Sequence, residues 1–153
     1  MAKLPIAQVA ESVPFDNDTN GYVSEDVQAA IEETKEEAGA ARMAVNFGYD
    51  GNASANTWLQ TFKGVSSRNS PFVVAEEGTL TSLSVSFRNN STVEFTVYIN
   101  NSATSNILTV TSNNRGFVSG LSQSLAVGDE ISVRMTSGSS RDTSFWIKIK
   151  TSS

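Results

Sequence analysis

The sequence predicts a mainly β protein: a C-terminal antiparallel β-sandwich or jelly roll of about eight strands, preceded by an extended N-terminal arm and one short α-helix. Three observations carry this. Hydrophobic spacing is irregular through residue 23, recurs every three or four residues over 24–46, and alternates from Phe47 onward. Charge divides in much the same place, with 9 acidic and 3 basic side chains in residues 1–43 and 7 and 8 in the rest. Clusters of Asn, Gly and Asp separate the alternating runs, as turns require.

Residues 1–23 read as an arm. Pro5 and Pro14 break any helix, and Leu4, Ile6, Val9, Val13 and Phe15 are too irregularly spaced for a strand face yet too apolar for a solvated tail. They suit a peptide that docks on a larger assembly and orders there. Asp16, Asp18, Asn20 and Gly21 imitate the start of a calcium loop, but the position that should supply a bidentate Glu is Val27, so the segment reads as a turn and no metal is expected.

Residues 24–46 read as a helix. Ser24 is an N-cap, and Glu25 and Asp26 place negative charge in the first turn, where the helix dipole favours it. Val27, Ile31, Thr34, Ala38, Ala41 and Val45 then recur at heptad spacing, with Glu32, Glu33, Lys35, Glu36 and Glu37 between them. A seam this narrow suits a parallel coiled-coil bundle of identical helices better than the alternative, a short helix packed on its own domain. Such a coil is marginal alone, since Gly39 costs roughly 1 kcal/mol against Ala.

From residue 47 to 153 the expected domain is β. Leu83, Val85 and Phe87 alternate with serines, and Val93, Phe95, Val97 and Ile99 alternate with Thr92, Glu94, Thr96 and Tyr98. Ile131, Val133 and Met135 and then Phe145, Ile147 and Ile149 repeat the pattern, with Arg134, Trp146, Lys148 and Lys150 facing the other way. Turns are expected at Arg88-Asn89-Asn90, Asn100-Asn101-Ser102, Asn113 to Gly116, Gly128-Asp129 and Ser137-Gly138.

Composition narrows the chemistry. The chain has neither Cys nor His, which removes thiolate and imidazole ligands, sulfur nucleophiles and the commonest general base. Adjacent carboxylates at Glu76-Glu77 and Asp129-Glu130 sit at turns, where neighbours point apart, so no enzyme activity and no cofactor are expected. The acidic arm opposes a phosphate backbone, and no Lys/Arg cluster stands out along the chain, so nucleic acid is not an expected partner. No apolar run is long enough for a secretion signal or a membrane span. The outward aromatics Tyr49, Trp58, Tyr98 and Trp146 are candidates for contact with a glycan or a neighbouring subunit.

The segment Ser-Val-Pro-Phe-Asp-Asn-Asp-Thr-Asn-Gly-Tyr-Val-Ser-Glu-Asp-Val-Gln-Ala-Ala-Ile-Glu-Glu, residues 12–33, resembles a linker motif of tailed-bacteriophage structural proteins, fibre and decoration proteins above all. The runs Ser-Pro-Phe-Val-Val from Ser70, Gly-Thr-Leu-Thr-Ser-Leu-Ser-Val from Gly78 and Leu-Ala-Val-Gly-Asp-Glu-Ile-Ser-Val-Arg from Leu125 look like the trimeric jelly rolls of phage fibres and of the tumour-necrosis-factor-like group. The resemblance implies a location on the virion, an arm bound to capsid or tail proteins, and a helix running into a trimeric stalk. It points to a head fibre or decoration protein, with a tail-fibre tip recognising host-surface glycans as the alternative. It carries over no catalytic residue.

Overall fold

The computed structural model describes residues 42–61 and 64–151. The arm residues Leu4, Ile6, Val9, Val13 and Phe15 and the seam residues Val27, Ile31, Thr34, Ala38 and Ala41 lie outside the described residues. Within them the protein is mainly β, with no helix, and the strands are β1 (Arg42–Ser54), β2 (Phe72–Val73), β3 (Gly78–Ile99), β4 (Ser102–Leu125), β5 (Glu130–Ser137) and β6 (Ser139–Thr151).

Two expectations are corrected here. The helix was expected to run to residue 46, but β1 begins at Arg42, and Val45 is a core residue of the sheet, paired with Ile147, rather than a position on a helical seam. Met43, Val45 and Phe47 share one face of a period-2 strand, and burial against β6 decides between the two spacings that Val45 satisfies. The signals at Arg88 to Asn90 and Asn113 to Gly116 do not end strands either. β3 and β4 run through them, with register shifts between Ser86 and Val93, so about eight short strands become six, two of them long and bent.

Pairing makes the architecture plain. All pairs are antiparallel, and the order is β1-β6-β3-β5-β2, with β4 on the other edge of β3. The first half of β3 pairs with β6 and its second half with β5, so β5 and β6 lie end to end along one edge of β3. Residues 56–60 prolong β1 past this corner. The Leu59 amide donates to the Val133 carbonyl (2.9 Å) and the Met135 amide to the Thr57 carbonyl (2.8 Å), while Gly48 and Gln60 exchange backbone bonds of 2.8 and 2.6 Å. The sheet thereby folds over on itself and nearly closes like a barrel.

Alternation fills the interior. Phe47, Leu80, Leu83, Phe95, Val97, Ile131, Val133, Met135, Phe145 and Ile147 are fully buried, with Phe95 and Phe145 rings 5.4 Å apart at the centre. No buried side-chain polar atom among the described residues lacks a hydrogen-bond partner. Between β1 and residues 70–73 lies a groove of about 950 Å³, lined by Met43, Val45, Tyr49, Phe72 and Val73 among others.

Register also gathers charges that look dispersed along the chain. Arg42, Lys148, Lys150 and Arg115 lie exposed on the outer face of the half built from β1, β6, β3 and β4, together with Trp146 and Phe117, both paired to Ser84. No Asp or Glu occurs in the paired stretches 42–48, 144–151, 78–86 and 115–125 of that half. Cations that stand apart in the sequence thus share one face of this half.

Candidate functional site

The second half of the sheet carries a polar cleft of about 350 Å³ lined by Trp58, Arg68, Asn69, Asn101 and Arg134. Each member is placed by a distinct device. Trp58 bridges to Arg134 across the closing segment, which sets both side chains on the outer face, since their neighbours Leu59, Val133 and Met135 point inward. Tyr98, outward on β3, meets Trp58 edge to face with ring centroids 4.7 Å apart.

Arg68 arrives on a loop. Ser67 is wholly buried, its amide donating to the Leu59 carbonyl (2.8 Å) and its hydroxyl lying 3.3 Å from both the amide nitrogen and the carbonyl oxygen of Val133. The turn is closed by amides of Asn69 and Ser70 on the Ser66 carbonyl. Arg68 is thereby held with Cζ 5.9 Å from the Trp58 ring centroid, and Arg134 Cζ lies 5.5 Å from the same centroid. Arg134 Nη2 donates to Asn56 Oδ1 (2.8 Å).

Asn101 arrives on a hairpin tip. Asn100 and Asn101 have φ of 51° and 62°, the left-handed pair that a two-residue hairpin needs and that Asn tolerates. Asn100 staples this tip to the start of β5: its amide donates to the Glu130 carbonyl (2.9 Å), its Nδ2 to Asp129 Oδ1 (2.8 Å), and its Oδ1 accepts from the Glu130 amide (2.9 Å). Asp129 Oδ2 accepts the Ala126 amide (2.8 Å).

The Ala126 amide first, and then Asn100, hold the Asp129 carboxyl below its ordinary 3.8. A lowered folded value means stabilisation that is present above pH 3.8 and lost as pH falls through the folded value. Asp129→Ala is therefore expected to lower Tm near neutral pH, with the gap to the parent closing below about pH 4. Thermal scans between about pH 2 and 7 measure it, and a pH-independent gap would show that the turn holds without the charge.

Electrostatically the cleft is cationic. Among the described residues the only ion pairs join Asp142 to Arg88 (3.6 Å) and Arg141 (3.7 Å), so neither Arg68 nor Arg134 has a carboxylate partner there. No group of His, Cys, Asp and Glu able to hold a metal occurs among them.

Of the four aromatics singled out in the sequence, the fold brings together Trp58 and Tyr98. Tyr49 lines the groove beside β1, and Trp146, 43% exposed, stands on the outer face of the other half. Sequence reasoning missed both arginines. Arg134 was legible as outward from its place between Val133 and Met135. Arg68, within Ser-Ser-Arg-Asn-Ser, had no signal at all.

The fold and cleft define a β-barrel-like domain that presents a cationic, aromatic-backed recess on one sheet face. No family model matches the chain, and no curated protein matches it.

Proposed function

We propose that this chain is a non-catalytic structural protein of a tailed-phage virion, a homotrimeric head fibre or decoration protein. In this reading residues 1–23 dock on a capsid or tail protein and the helix that follows forms a short trimeric coiled coil. The β domain projects outward as a jelly-roll-type display module. The observation that carries it is the linker segment of residues 12–33 leading into the heptad seam. The sheet adds support: among the described residues β4 pairs only with β3, and its outward side chains Phe117 and Ile107 are 66% and 44% exposed, a strand that a further copy of the chain would cover.

Trimer formation multiplies weak contacts into avidity on a repetitive particle. Light scattering on the full chain is expected to give three times the 16.4 kDa of one copy. Ile31→Asp is expected to dissociate it by placing a carboxylate in the seam, while Glu33→Ala leaves it intact. A parent protein that stays monomeric would remove the trimer. Absence of the chain from purified particles, by mass spectrometry, would remove the virion.

The Trp58 cleft favours a second reading, a tail-fibre tip or receptor-binding module for host-surface glycans. Its support is the pairing of Trp58 with Tyr98 beside three asparagines, Asn56, Asn69 and Asn101, since aromatic rings take sugar C–H faces and amides take hydroxyls.

A further inference from the structure

We infer that the Trp58 cleft is a site for acidic saccharides, with Arg68 as the principal carboxylate ligand and Arg134 as its fixed companion; this rests on the glycan reading above. Two guanidiniums flank one indole without a carboxylate partner among the described residues. Like charges gathered on one ring repel, and a bound anion relieves that repulsion. Stacking on Trp58 limits the orientations of both forks, so less freedom is lost when an oxyanion accepts from them.

The two arginines differ in what they can still offer. Arg134 spends Nη2 on Asn56 Oδ1, and its Nε lies 3.5 Å from the Asn56 carbonyl. Arg68 makes no hydrogen bond or ion pair with any described residue, so its whole fork is available to a carboxylate. The rest of the lining selects for a sugar rather than a bare anion. Asn69 and Asn101 bring amides able to donate to and accept from hydroxyls, and the hairpin holding Asn101 is tied to β5 by Asn100. A volume of about 350 Å³ is at the small end of ligand pockets and suits a single sugar-sized unit of a longer chain.

The test is titration of the full-length protein with a panel of uronate- and sialate-bearing oligosaccharides, their carboxyl-reduced counterparts and inorganic phosphate, read by calorimetry and indole fluorescence. Binding of at least one acidic oligosaccharide is expected, weakened at least about tenfold by carboxyl reduction, by Arg68→Gln, or by raising salt from 0.05 to about 0.5 M. Arg68 is exposed, so the variant is expected to keep the parent's Tm. Equal affinity for an acidic sugar and its reduced form would overturn acid selection while leaving a glycan site. Phosphate binding as tight as any saccharide would reduce the cleft to a general anion site and overturn the inference. Binding of no saccharide would overturn both the inference and the glycan reading, leaving the virion reading untouched.

Discussion

Replacing Phe95 with alanine is expected to cost the β domain about 3–5 kcal/mol, the range for emptying a buried aromatic site. Phe95 is wholly buried, and its ring lies 5.4 Å from Phe145 and 6.5 Å from Phe87, one partner on β6 and the other just before the bend in β3. It therefore ties the two halves of the folded sheet together. Neither neighbour can swing in without leaving its own buried position, so most of the cavity persists and the cost stays near the top of the range. Urea unfolding measures it. A loss below about 1 kcal/mol would mean that the halves are held by their backbone continuity rather than by this cluster.

Gly138→Ala is expected to do comparable damage for a different reason. Gly138 joins β5 to β6 where the chain turns from one half of the sheet to the other, with φ of +79°. A Cβ there would collide with the Thr92 carbonyl oxygen and lie 2.9 Å from Val93 Cγ1, a methyl of a residue that is itself buried. Left-handed backbone costs about 1 kcal/mol for alanine, and displacing a paired strand adds more, so a total of roughly 3 kcal/mol follows. Gly128→Ala is the control: its φ is +90°, but a Cβ meets nothing within 4 Å, so only the conformational cost of about 1 kcal/mol applies. In a domain of this size the pair should differ in Tm by about 10 °C. Equal losses would mean that Thr92 and Val93 can retreat and that the corner is soft.

Legibility varied with the strength of the period. β5 and the second part of β6 could be read directly, because Ile131, Val133 and Met135 and then Phe145, Ile147 and Ile149 alternate without a break, whereas β6 changes phase before them at Asp142, with φ of 52°. β4 could not. Its inward set is Asn106, Leu108, Val110, Gly116 and Val118 until Gly120, with φ of +73°, resets the phase to Leu121, Gln123 and Leu125. A strand that changes phase and places Asn and Gln inward carries no clean alternation. The asparagine and glycine clusters at the bends of β3 and β4 look like chain reversals in the sequence because the same residues serve turns and bulges, and only cross-strand pairing tells one from the other.

For the site, the outward direction of Trp58, Tyr98 and Arg134 was implicit in the sequence, and their convergence was not. Trp58 and Arg134 meet because the segment after β1 crosses to β5. Arg68 joins them because Ser67 buries itself against Val133, a contact between residues 66 apart in the chain.

By itself the sequence determined the β character of the domain, the identity of most of its core, the hairpin tip at Asn100-Asn101 and the lack of Cys and His, because all of these follow from residue type and local period. The tertiary structure alone decided where the β domain begins, that four separate cations share one face, and that two arginines flank one tryptophan. Those outcomes depend on register between distant strands, where a shift of one residue would turn every side chain to the opposite face.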